Sequence, residues 1–115
     1  MENKHFLLVA NVSTDNPDAI RPILWKLIGT HGSFKEVNAD DVEHRSKGEF
    51  LIQAEIEGIT ARDLNRSLLS ALRRVEKRTR LRAEWSLGNT VERYFDYGLK
   101  KTTIKEWYTL EKPVF

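Results

Sequence analysis

Arg45-Ser-Lys-Gly-Glu-Phe-Leu-Ile-Gln-Ala-Glu-Ile-Glu-Gly58 decides how this chain is read. Within it Phe50, Ile52, Ala54 and Ile56 alternate with Glu49, Leu51, Gln53, Glu55 and Glu57. A period of two sends one set into a core and the other onto the opposite face. Gly48 and Gly58 bracket the run as turn residues, so the stretch is predicted to be a central strand entered through a tight turn.

Upstream, Phe6, Leu8, Ala10 and Val12 alternate with His5, Leu7, Val9 and Asn11. Apolar residues on both faces near the middle mark a second central strand. Between the two, Asp15, Asn16 and Asp18 are candidate N-caps, and Pro17 suits a first helical turn. Ile20, Ile23, Leu24, Leu27 and Ile28 then form the stripe of an amphipathic helix that ends at Gly29. Pro22 falls on the other side, where it calls for a kink unless the cap is Asp18. Trp25, on the flank of the stripe, is expected in a packed edge position. Residues 33–42, with Phe34 and Val37 among polar neighbours, have the pattern of an edge strand, and residues 40–47 that of a charged loop.

Downstream, Thr60-Ala-Arg-Asp63 resembles a capping box, and Leu64, Leu68, Leu72 and Val75 define the expected buried side of a second helix. At about 100° per residue, Arg62, Arg66, Arg73 and Lys77 fall together on the opposite side as one solvent-facing basic stripe. Residues 79–87 return to alternation, with Leu81, Ala83, Trp85 and Leu87 facing one way. The order strand, helix, strand, strand, helix, strand predicts an α+β, ferredoxin-like βαββαβ two-layer sandwich. Its sheet is antiparallel, its first and third strands are central, and both helices lie on one face. The chain is expected to be a single domain over residues 1–115, with residues 5–87 as the core and 88–115 as an extension. In that extension Gly88-Asn89 is a two-residue hairpin signal, which makes residues 91–97 a fifth strand. A helix stays open, because Val91, Tyr94, Phe95 and Gly98 also fit helical spacing.

Composition excludes several classes of chemistry. The chain has 115 residues and no cysteine, which removes disulfides, thiolate metal sites and thiol catalysis. With neither an apolar run of membrane-spanning length nor a secretory leader, a soluble, cytoplasmic protein is expected. His5, His31 and His44 are scattered and no serine sits in a nucleophile elbow, so the reading is of a binding protein rather than an enzyme, without cofactor. Asp40, Asp41, Glu43 and His44 read as a solvated acidic loop rather than a metal site, since no second cluster has ligand spacing. Gly29-Thr-His-Gly32 has the form of a KH-domain GXXG loop but is better explained as a helix cap, and it lacks the lysine and hydroxyl pair of a P-loop.

Three segments carry a family resemblance. Leu7-Leu-Val-Ala-Asn-Val12 resembles the first-strand hexamer of RNA recognition motifs. His31-Gly-Ser-Phe-Lys-Glu-Val37 is similar to that family's approach to strand two, and Arg45-Ser-Lys-Gly-Glu-Phe-Leu-Ile52 to its third-strand octamer. The resemblance implies the ferredoxin-like fold. It also implies single-stranded RNA stacked on sheet aromatics, but those positions fall on Leu8, Glu49 and Leu51, none of which stacks a base. Asp15-Asn-Pro17 is similar to the turn after strand one in ACT regulatory domains, although the glycine that follows there is Asp18 here.

Charge supplies the main functional expectation. Residues 62–82 hold eight basic side chains against Asp63 and Glu76, a local +6 in a chain whose net charge is +2. Arg62, Arg66, Arg73, Arg74, Lys77, Arg80, Arg82 and Lys47 are therefore the candidate contacts for RNA or DNA phosphates, with Arg78, Lys100, Lys101 and Lys105 extending them. The alternative is a homodimeric, ACT-like regulatory or assembly module with a small ligand at the interface. Leu7, Val9 and Leu51 motivate it: they lie on the sheet face away from the helices and need a cover, either a second copy or residues 88–115.

Overall fold

Alternation in the sequence becomes alternation in burial. Residues 3–37 and 48–100 are described in the computed structural model, without the Lys100 side chain. In β1 (Lys4–Thr14), Phe6, Leu8, Ala10 and Val12 are buried while Leu7 and Val9 are exposed. In β3 (Gly48–Gly58), Phe50, Ile52 and Ala54 are buried and Glu49, Leu51, Gln53 and Glu55 are exposed. The two strands pair antiparallel along their full length, from Lys4 opposite Gly58 to Thr14 opposite Gly48. β2 (Gly32–Val37) pairs with the other side of β3, and β4 (Arg80–Leu87) with the other side of β1. Beyond β4 come β5 (Thr90–Phe95) and β6 (Gly98–Lys100). The result is an α+β fold with an open, six-stranded antiparallel sheet in the order β2-β3-β1-β4-β5-β6.

Two helices cover one face of this sheet. α1 (Pro17–Ile28) starts at the Asn16 cap, whose side chain accepts from the Ala19 N–H, with Pro17 in the first turn. Pro22 thus lies inside the helix, on its exposed side. Trp25 meets Phe34 edge-on at 5.3 Å between ring centroids, yet keeps 63% of its surface exposed. α2 (Ala61–Val75) is capped by Thr60, whose hydroxyl accepts from the Asp63 N–H. Ile20, Leu24 and Ile28 from α1 and Leu68, Leu69 and Leu72 from α2 join the inward residues of β1, β3 and β4 in one core cluster. Burying each such side chain contributes about 1.5–3 kcal/mol relative to exposure. Gly32 is required where β2 meets β3, because a Cβ there would collide with the backbone of Gln53 and Ala54. Neither described helix is long and apolar enough to cross a membrane.

Three expectations change. Residues 91–97, open between strand and helix, contribute β5: Gly88 (φ +62°) opens the two-residue turn, and pairing with Ala83 buries Tyr94. That strand and β6 widen the sheet beside β4 instead of lying over the open face. The wider sheet also changes how α2 sits. Its buried residues are Ala61, Asn65, Leu68, Leu69 and Leu72, while Val75 is 42% exposed. The helix is therefore rolled about its axis toward β5, away from the expected Leu64–Leu68–Leu72–Val75 side. Lastly Leu8, a stacking position by resemblance, is 1% exposed and belongs to the core rather than to the open face.

Candidate binding surfaces

The register places every side chain on the open face. Across it run Lys35, Leu51, Asn11, Arg82 and Phe95 in one row, then Ser33, Gln53, Val9, Glu84 and Arg93 in the next. Leu7 (56% exposed), Val9 (51%) and Leu51 (44%) are therefore neighbours in solvent, as the alternation implied. Between them and β5 lies a shallow depression of about 500 Å³, lined among others by Val9, Asn11, Leu51, Arg82, Arg93 and Phe95. A smaller one of about 270 Å³ continues it toward Ser13, Glu49 and Arg80. Arg80 and Arg82 both lie over the Phe95 ring, at 5.0 and 5.3 Å from its centroid. This is an apolar floor with guanidinium groups along one side, chemistry that suits an anionic or flat group.

The eight basic candidates do not form one surface. Arg62, Arg66, Arg74 and Lys77 lie on the exposed side of α2 and beyond its end, and none of them is ion-paired among the described residues. Arg80 and Arg82 lie on the opposite side of the sheet, on the open face. Lys47, like Lys101, Lys105 and the acidic loop at Asp40, Asp41, Glu43 and His44, falls outside the described residues. Arg73, expected in the solvent-facing stripe, is instead engaged: its Nε donates to the Thr79 carbonyl at 2.8 Å and its Nη2 lies 3.3 Å from Asp96 Oδ1. Its guanidinium also sits 5.3 Å from the Tyr97 ring centroid. The roll of α2 toward β5 turns this flank of the helix onto the β5–β6 turn.

Asp96 is the residue that the sequence did not single out. It opens that turn with φ +58°, a left-handed conformation that aspartate tolerates better than most residues. Its carboxylate accepts from the Leu81 N–H at 2.9 Å and from Arg80 Nε at 2.8 Å, besides facing Arg73. Its own N–H donates to the Leu81 carbonyl, and its carbonyl accepts from Asn65 Nδ2 at 2.8 Å. Asn65, buried on α2, accepts in turn from the Trp85 indole N–H at 3.1 Å. One polar chain thus ties α2, β4 and the β5–β6 turn together, and it keeps Arg73 and Arg80 from being free phosphate contacts. Phe95 was legible in principle, since counting outward from the Gly88-Asn89 turn pairs it with Arg82. Nothing in the sequence around Asn65 marks it as buried.

On the helix side of β5, burial first and then the hydrogen bond to Glu92 push the Tyr94 phenol up to about 12 from its ordinary 10. The folded chain therefore holds this proton where the unfolded chain has released it. The stability that Tyr94 contributes is full below pH 10 and is lost as pH rises from about 10 through about 12. Urea midpoints at about pH 9 and about pH 11 should fall more for the wild type than for Tyr94→Phe, which has no phenol to ionise. Equal falls in the two proteins would refute the assignment.

The geometry defines the class as a two-layer α+β domain with an open sheet face and a basic outer helix. No protein-family model, curated protein or solved structure matches the chain.

Proposed function

We propose that this protein is a non-catalytic nucleic-acid-binding module that contacts phosphates through the outer side of α2. The spatial order β2-β3-β1-β4 within the sheet, with both helices on one face, supports the ferredoxin-like reading for that part of the chain. The observation that carries the function is the set Arg62, Arg66, Arg74 and Lys77, exposed and without ion pairs among the described residues. Arg62, Arg66 and Arg74 lie within an arc of about 120° and span about 18 Å along the helix axis, with Lys77 just past its end, reach enough for several consecutive phosphates. Such contacts position a nucleic acid without reading its sequence. The absence of an aromatic at Leu7, Val9, Glu49 and Leu51 argues against base stacking on the central strands.

The test is fluorescence anisotropy with labelled single-stranded RNA and DNA of unrelated sequences. Binding should be similar for all of them, with a log–log salt slope of about 3 for four phosphate contacts. Arg66→Glu/Arg74→Glu/Lys77→Glu should weaken binding by about 100-fold or more and remove most of the slope. The melting temperature should stay nearly unchanged, because these side chains lie outside the core. A wild type that binds neither polymer at low salt would leave the stripe as a solvated face and end this reading.

A further inference from the structure

The open sheet face is polarised. On the β2–β3 half stand Glu49, Glu55 and Glu57 against Lys35; on the β4–β5 half stand Arg80, Arg82 and Arg93 against Glu84. Between them the exposed Leu7 and Val9 of β1 and Leu51 of β3 form the apolar middle. The local pairs leave this polarity in place: Glu84 is held by Arg93 at 3.0 Å, and Arg80 shares Asp96 with Arg73. On the acidic half, His5 stands 3.2 Å from Glu57, and Glu49 accepts from Asn11 Nδ2. Arg82 has no ion pair among the described residues.

A face with an acidic side, an apolar middle and a basic side is complementary to itself under one rotation. If two copies pack sheet to sheet about a twofold axis that runs along β1, the left half of each lies over the right half of the other. Glu49 of one copy then lies over Arg80 of the second, one row from its Arg82, twice, while Leu7 and Val9 meet their own counterparts near the axis. An axis perpendicular to the strands would set acid on acid and base on base, which is penalised. Five strands at about 4.8 Å and eight residues at about 3.3 Å give a face on the order of 600 Å² in projection, comparable to the ~800 Å² of accessible surface that each partner contributes to an ordinary interface.

We infer that the open sheet face is a homodimer interface with its twofold axis parallel to β1, the acidic half of each copy packing on the basic half of the other. The apolar middle supplies the driving force and the charges fix the orientation. The outer sides of both α2 helices remain free in such a dimer, so this inference and the phosphate reading stand or fall separately.

Sedimentation velocity on the full chain tests it. The wild type should be a dimer at micromolar concentration. Glu49→Arg and Arg82→Glu, both at exposed positions, should each raise the dimer Kd by about 10- to 100-fold, because each sets two like-charge contacts across the axis. Leu51→Lys should dissociate it as well. The decisive sample is an equimolar mixture of Glu49→Arg with Arg82→Glu. In the mixed dimer one contact pairs the introduced arginine with the introduced glutamate, and the other pairs native Glu49 with native Arg82. A heterodimer of nearly wild-type affinity is expected. A wild type that stays monomeric at high micromolar concentration, whether its face is bare or covered by residues 101–115, overturns the inference. So does a mixture that stays monomeric when the wild type dimerises.

Discussion

Replacement of Asn65 by alanine is expected to lower the unfolding free energy by about 3 kcal/mol, an unusually large loss for a polar helix residue. Asn65 is 1% exposed and bonds a group on β4 and another on the β5–β6 turn. Its Oδ1 accepts from the Trp85 indole N–H at 3.1 Å and its Nδ2 donates to the Asp96 carbonyl at 2.8 Å. Truncation orphans a buried donor and a part-buried acceptor, at about 1–3 kcal/mol each, and opens a small cavity beneath α2. Urea unfolding followed by tryptophan fluorescence measures the loss. A cycle with Trp85→Phe separates the pair, and coupling of about 1 kcal/mol or more is expected because the two side chains share one bond. A loss below about 1 kcal/mol would show that Asn65 is only a tolerated polar residue.

The second large effect is at Asp96. Asp96→Ala should destabilise by about 2–4 kcal/mol for three separable reasons. Alanine is strained at φ +58°, the Leu81 N–H loses its acceptor, and Arg73 and Arg80 lose the carboxylate that holds them side by side. Asp96→Gly relieves only the backbone strain and should recover about 1 kcal/mol. Asp96→Asn keeps an acceptor for Leu81 but not the charge, and should fall between the wild type and Asp96→Gly. Native-state hydrogen exchange should show the loss concentrated in β5 and β6, whose attachment to α2 runs through this residue, while β1 and β3 keep their protection. Uniform deprotection of the whole sheet would contradict that local role. The same geometry makes Arg73 a poor probe of phosphate binding, since reversing its charge would set a glutamate against Asp96.

Local periodicity determined the parts of this fold whose information is local. The alternation of Phe6 to Val12, of Phe50 to Ile56 and of Leu81 to Trp85 names the inward residues of three strands, and burial follows it, with Ile56 only partly buried. The helix caps at Asn16 or a near neighbour and at Thr60, the edge position of β2, and the adjacency of β1 and β3 also follow from residues close in sequence or from the handedness of crossovers. The exposed trio Leu7, Val9 and Leu51 is the other side of the same alternation.

Tertiary structure decided what depends on which element lies beside which. A helix with apolar residues on a broad arc can roll by tens of degrees at little cost in its own pattern, so the sequence of α2 alone does not choose between burying Val75 and burying Leu69 and Asn65. The added strands β5 and β6 choose, because they extend the sheet under one flank of the helix. That choice turns Arg73 from a phosphate candidate into a bolt on Asp96 and makes Asn65 a buried connector. It is also why a run of basic residues close together in sequence ends up on two sides of the sheet. Sequence neighbours at the α2–β4 connection are parted by the sheet itself, and proximity along the chain carries no information about which face a strand will turn outward.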